Sequence, residues 1–425
     1  MTDPSGGLRL RGWKDPAIIG LALMALCSGF GQFGAVAALG DVAKSFGHTT
    51  HGGSLVQQAG LSGGELGVGL AILRLASFGG LPLSALADRV GRRVMLIATC
   101  AVGLAFTVAA SASPGYWWFV VIFALGRPLL SATNALAQVG AAEETASHDR
   151  ARAIALVAAG YGVGSGLTAV IHGLAENVLG FRGVFVLAVV PLGAIFLIRR
   201  WLVEPDRYTV EAARVGGQAR AGLGAVGRAY RRRLLLVTGL AFAVAVITGP
   251  ANSFIFVYAQ NVLKLSGAVT AAMVVVAAPI GLVGLLMGRW LADHLGRRPT
   301  GAITMVAIGL SAVLTYSGSK VALLVGYEVA VLSASTFAPA AGALANELFP
   351  TSVRASVAGW NVAASVLGAV LGLLAFGLLA QVGTRFHGTR ASLIVFLPAL
   401  LATALFLKLP ETMGREPEDV SPENG

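Results

Sequence analysis

Leu86-Ala87-Asp88-Arg89-Val90-Gly91-Arg92-Arg93 returns half a chain later as Leu291-Ala292-Asp293-His294-Leu295-Gly296-Arg297-Arg298. Each copy is a short charged interruption between long apolar runs. A 425-residue chain duplicated in this way points to a membrane protein built from two similar helical bundles.

Composition agrees. Hydrophobic residues make up 56% of the chain and charged residues 12%, about half the charge of a soluble domain. So much apolar surface requires a bilayer as solvent. Runs of the roughly 20 residues that a spanning helix needs recur twelve times, near 17–39, 64–86, 94–113, 116–140, 153–174, 183–202, 234–260, 268–290, 300–318, 320–346, 355–381 and 391–409. The fold class is therefore an all-α membrane protein with twelve transmembrane helices in two pseudo-symmetric six-helix bundles. Residues 1–203 form the first bundle, 204–233 a cytoplasmic linker, 234–410 the second bundle and 411–425 a cytoplasmic tail.

The net charge of +11 invites a nucleic-acid reading, but its distribution excludes one. With both termini in the cytoplasm, most of the 31 basic residues lie on the cytoplasmic side. Lys44, Arg182, Lys264, Lys320, Arg385 and Arg390 fall outside, and Arg74, Arg127 and Arg289 fall within spans. That is the positive-inside bias of a multi-pass protein in a cell membrane. Cys27 and Cys100 both lie in spans, which offers neither a disulfide framework nor a metal cluster. The first span is too long for a signal-peptide core and reads as a retained helix.

The repeat shows at further points. Glu144…Arg152-Ala153 parallels Glu347…Arg354-Ala355, and Asp41-Val42-Ala43-Lys44 resembles Asn261-Val262-Leu263-Lys264. The first external loop, around 48–63, carries extra Gly, Ser and His and reads as irregular. Segment 204–233 holds seven arginines and reads as a surface-lying linker anchored by Arg231-Arg232-Arg233. The acidic tail 410–425 is expected to be disordered.

With these motifs the chain resembles the major facilitator superfamily over its whole length. The Asp-Arg-x-Gly-Arg-Arg loop resembles that family's signature, and the Asp293 copy its weaker repeat. Asn346-Glu347-Leu348-Phe349-Pro350-Thr351-Ser352-Val353-Arg354 resembles a loop of sugar porters and metabolite symporters, and Leu409-Pro410-Glu411-Thr412-Met413-Gly414-Arg415 resembles the sugar-porter tail. Two departures stand out: four positions before each Asp, the small residue is Ser84 rather than Gly in the first copy and Arg289 stands in the second, with Gly288 displaced by one. The Gly-Pro pattern of drug antiporters is missing from the fifth span. The resemblance implies the two-bundle facilitator fold and alternating access. It also implies a gate in which Asp88, Arg89, Arg92 and Arg93, with Asp293, Arg297, Arg298, Glu347 and Arg354, hold one side shut. An acid beside arginines at a helix end suits that role physically; the plainer reading is an orientation anchor.

Arg127 falls mid-span, where an isolated charge is costly and marks a pathway or a partner. Ser131, Asn134 and Gln138 follow on the same helix face. Glu328, after Tyr327 in the tenth span, is the only carboxylate deep in a span. An apolar setting favours its protonated form, so it is the proton-coupling candidate, with a permanent ion pair as the alternative. Arg74, with Ser77 one turn on, reads as a second buried cation, as a partner of Glu328 or Glu65, or as a cation snorkelling toward an aqueous edge. Two arginines against one carboxylate leave positive charge for an anionic substrate to balance. Ser28/Gln32, Thr248/Asn252 and Asn361/Ser365 beside Trp360 bring milder polar groups, each of which could equally be helix–helix glue. The candidate substrate contacts are thus Arg127, Arg74, Gln32, Asn134, Asn252, Asn361, Trp360 and Tyr327. His172 reads as structural.

Phosphate-binding and His-Glu-x-x-His motifs are missing, which argues against an enzyme, and no cofactor or metal is expected. The reading is a monomeric secondary transporter whose partners are protons, the bilayer and a small organic solute, with an organic anion or carboxylated metabolite favoured. Drug or metabolite efflux by proton antiport is the alternative. A non-transporting membrane sensor would not need the midplane charges.

Overall fold

A computed structural model describes residues 11–47, 60–145, 149–203, 230–350, 353–380 and 388–413. Twelve helices are long and apolar enough to cross a membrane. They are α1 (Pro16–Ala37), α2 (Gly63–Ala87), α3 (Arg92–Ala110), α4 (Tyr116–Glu144), α5 (Arg152–Ala175) and α6 (Val178–Ile198), then α7 (Arg231–Ser253), α8 (Gly267–His294), α9 (Arg297–Thr315), α10 (Lys320–Ala345), α11 (Ser356–Leu379) and α12 (Gly388–Lys408). Among the described residues no strand forms. The linker residues 204–229 and the loop residues 48–59 lie outside the described residues.

Local signals start several helices. Asp15 caps α1 by accepting from Ala17 N at 2.9 Å, with Pro16 opening the first turn. Ser62 and Glu65 form a capping box at α2, in which each side chain accepts the other residue's amide. Ser266 and Ser319 cap α8 and α10. Gly91 and Gly296, inside the two copies of the opening motif, have φ of 111° and 106°, a turn that a side chain would strain. The duplication is therefore visible in backbone conformation as well as in letters.

By contacts the chain forms two units. Residues Met1–Val42 with Ala76–Gln218 make the first, and Ala43–Leu75 with Ala219–Gly425 the second. The division differs from the sequence boundaries because the first half of α2 packs on α11, where Gly67 meets Gly377 and the Leu373 carbonyl. In the first unit α1 packs on α5 and α4, and α3 on α4. In the second α7 packs on α11, and α10 on both α8 and α9.

Small residues set these packings. A Cβ on Gly164 would sit 2.0 Å from the Leu26 carbonyl oxygen, and one on Gly368 would sit 2.2 Å from that of Phe242. Such close approach replaces the hydrophobic effect as the adhesive between helices in lipid. Gly288, displaced by one in the motif, has the same use: its Cβ would lie 2.3 Å from Thr336 O on α10. Gly164→Leu is expected to destabilise the protein by about 1–3 kcal/mol or more through overpacking. Thermal unfolding in detergent checks this, and an unchanged midpoint would contradict the packing described.

The seventh span differs from its expectation. The sequence suggested one helix over 234–260, whereas α7 ends at Ser253 and a π-helical turn covers Val257–Val262. Pro250 supplies no N–H to the Val246 carbonyl, four residues back. That oxygen lies 2.3 Å from where a Gly372 Cβ would be. Tyr316 Oη donates to Ala251 O at 2.8 Å, taking up another carbonyl near the break.

Candidate functional site

In the first unit α4 presents its polar stripe to α1 and α2. Arg127 Nη1 donates to the Gln32 carbonyl at 2.6 Å and Nε to Ser77 Oγ at 3.3 Å. Ser131 Oγ reaches Gln32 Oε1 at 3.5 Å. Gln32 Nε2 donates to Ser28 Oγ, which donates to Leu130 O, both at 2.8 Å. The structure thus gathers Arg127, Gln32, Ser28, Ser77 and Ser131 into one network. Both of these acceptors of Arg127 are neutral oxygens that orient its guanidinium. One turn along, Asn134 Oδ1 is buried with no hydrogen-bond partner.

For Arg74 the buried reading is corrected and the aqueous-edge alternative fits: it is exposed, and Ser77, expected to accompany it, accepts from Arg127. Glu65 is engaged by the Ser62 cap. A short 3-10 turn at Ser77–Gly79 interrupts the helix just beyond Arg74, which periodicity does not reveal.

In the second unit Glu328 lies in a cleft of about 380 Å³ between α8 and α10, lined otherwise by Pro279, Ile280, Val283, Val329 and Leu332. Its Oε2 is buried without a hydrogen-bond partner. Every neighbour lining the cleft is apolar. Tyr327 is half-buried, as is Asn361, whose Oδ1 has no partner. Asn252 and Trp360 are exposed.

The charged loops form ion pairs within each unit. Arg92 pairs with Glu143 of α4. Arg297 lies 3.4 Å from both Asp293 and Glu347, the latter in the continuation of α10. Glu143, and not Glu144, is therefore the counterpart of Glu347. Glu144 instead lies 3.5 Å from Arg11, which also pairs with Asp15. Arg93 donates to Arg199 O at 3.2 Å, and Arg354 to Phe349 O at 3.0 Å. The side chains of Asp88 and Arg89 lie outside the described residues.

The tail departs from its expectation. Glu411 accepts from the backbone N–H of Arg297 at 2.9 Å and of Arg298 at 3.0 Å, so a distant carboxylate caps α9. Disorder is therefore wrong for its first residues; 414–425 lie outside the described residues. At the other end of the first unit His172 is buried, 3.4 Å from Asp41. Cys27 and Cys100 are buried free thiols.

The profile of the Major Facilitator Superfamily matches residues 21–310 and 278–424. The chain belongs to that superfamily. The ectoine/proline transporter of Corynebacterium glutamicum is 27% identical over 77% of this chain and 71% of its own length. The citrate-proton symporter of Klebsiella pneumoniae is 27% identical over 69% of this chain and 70% of its own. A D-xylose-proton symporter crystal structure superposes with a TM-score of 0.73 at 18% identity, covering 94% of this chain and 99% of that one. As a superfamily member the protein is a multi-pass membrane transporter and not an enzyme. The facilitator fold also accounts for the large apolar side chains exposed along its helices, among them Leu174, Leu235, Leu286 and Leu401.

Proposed function

We propose that this transporter moves a small carboxylated metabolite together with protons by alternating access, as a monomer in the cell membrane with both termini cytoplasmic. The observation that carries the reading is Glu328: a carboxylate with a buried, unpartnered oxygen among apolar neighbours is built to exchange a proton. Arg127 supplies the complementary group, a guanidinium at mid-span whose planar fork suits a carboxylate. Gln32, Asn134, Asn361, Tyr327, Asn252, Trp360 and Arg74 are the further candidate contacts. The substrates named for two relatives, an imino acid with ectoine and a tricarboxylate, share the carboxylate group.

In this reading 1–203 and 234–410 are the rocking bundles, joined by 204–233 and followed by the tail 411–425. The ion pairs of Arg92 and Arg297, together with Asp88, Arg89, Arg93, Asp293, Arg298, Glu347 and Arg354, gate the cytoplasmic side. A thermal-shift screen of purified protein against amino acids, di- and tricarboxylates, sugars and drugs tests the substrate class, because a ligand stabilises the fold in proportion to its occupancy. Stabilisation by carboxylates supports the reading, and stabilisation confined to sugars or cations refutes it. Cysteines placed at Gly217 and Gly414 are expected to label from the cytoplasm and one at Gly52 from outside. Labelling of Gly52 and Gly217 from one side would overturn the topology.

A further inference from the structure

Away from the polar stripe and the Glu328 cleft, the first unit carries a second cavity. It measures about 460 Å³ and is lined by Arg93, Val94, Ile97, Ala98, Arg199 and Arg200. Its position follows from the helices that frame it. α3 starts at Arg92 and α6 ends at Ile198, so the two antiparallel helices bring a start and an end to the same level. The three arginines stand at that level, and Val94, Ile97 and Ala98 continue inward along α3. The cleft is therefore cationic at its mouth and apolar along its floor.

Local contacts hold this arrangement. Arg93 Nη2 donates to the Arg199 carbonyl at 3.2 Å, tying the two helix ends together. The Arg199 guanidinium lies 5.3 Å over the Phe196 ring. Trp201, one step on, is 47% exposed, as befits an indole at the height of lipid headgroups. Val94, on the floor, is 55% exposed. No described residue lining the cleft is acidic.

The second unit shows what such a helix end accepts. There Arg298 Nη1 reaches the Leu409 carbonyl at 3.4 Å, as Arg93 reaches that of Arg199. An anion supplied by the chain, the Glu411 carboxylate, sits on the backbone amides of Arg297 and Arg298.

We propose that the Arg93/Arg199/Arg200 cleft is a binding site for one anionic phospholipid. The guanidinium groups take the phosphodiester, and the first acyl carbons lie over Val94, Ile97 and Ala98. A free phosphate would satisfy the arginines and leave the apolar floor uncovered, whereas a phospholipid matches both parts. The site serves the transporter's anchoring to its bilayer and is independent of which solute is carried.

The test uses the full chain, purified in a neutral detergent, stripped of lipid and titrated with phosphatidylglycerol or phosphatidylcholine while bound lipid is counted by native mass spectrometry. The wild type is expected to retain one phosphatidylglycerol in preference to phosphatidylcholine. Each arginine removed should weaken that retention about fivefold, in Arg200→Gln and further in the Arg93→Gln/Arg200→Gln pair. Should loss of the Arg93 bond to α6 impair folding, Arg200→Gln alone carries the test. Arg231→Gln/Arg232→Gln, at the exposed start of α7, should retain the lipid as the wild type does. Equal retention of both lipids, or equal loss in the α7 variant, would overturn the proposal. So would displacement of phosphatidylglycerol by millimolar inorganic phosphate.

Discussion

Glu328→Gln is expected to abolish proton-driven accumulation while leaving exchange of labelled for unlabelled substrate intact. Glutamine keeps the shape of the side chain and cannot take up a proton. In its apolar cleft, with Oε2 unpartnered, the neutral amide should be tolerated at least as well as the acid, so the variant should fold. Under a gradient of about one pH unit, a symporter moving one proton with each net-neutral solute can concentrate it about tenfold. The variant should reach no concentration above equilibrium. Reconstituted vesicles give both readings from one preparation. A variant that still concentrates substrate would return Glu328 to a structural role, and one that loses exchange as well would make it a binding residue.

The second large effect lies at Arg127. Arg127→Lys keeps the charge and loses the planar fork, and should weaken binding of a carboxylated substrate by about 1.5–3 kcal/mol, the worth of one charge-assisted hydrogen bond. Arg127→Ala should cost about 2–5 kcal/mol. It also removes the bonds to Gln32 O and Ser77 Oγ, so its unfolding midpoint must be followed alongside. Neutral analogues of the substrate should bind both variants as they bind the wild type. A best ligand that is neutral or cationic, with unchanged affinity in Arg127→Lys, would refute the anion-binding role and leave Arg127 as an organiser of α1, α2 and α4.

The fold was legible because the bilayer imposes it. Apolar runs of fixed length and the two motif copies around Gly91 and Gly296 suffice to read twelve helices in two related halves, and the same residues carry the family resemblance. What escaped depends on tertiary neighbours. Glu143 was passed over for Glu144 because the two are adjacent, and only the rotation of α4 toward Arg92 separates them. The end of α7 at Ser253 rests on Pro250 together with Gly372 of α11 and Tyr316 just beyond α9. Glu411 reaches α9 across more than a hundred residues of chain, which no local pattern encodes. Within the candidate site, the spacing of Arg127, Ser131 and Asn134 gave the stripe directly. For Arg74 the sequence leaves burial and an aqueous edge both open, because a charge within an apolar run does not say which way its helix face turns.

The most direct test of proton-coupled carboxylate transport is a pH measurement. Vesicles containing the wild-type protein, lightly buffered and without any imposed gradient, receive the carboxylate that stabilises the protein most in the thermal-shift screen. As the substrate enters, the external medium should turn alkaline, and a protonophore should abolish the signal while uptake continues. Glu328→Gln vesicles should give no such signal. Entry of the substrate into wild-type vesicles without external alkalinisation would contradict the account.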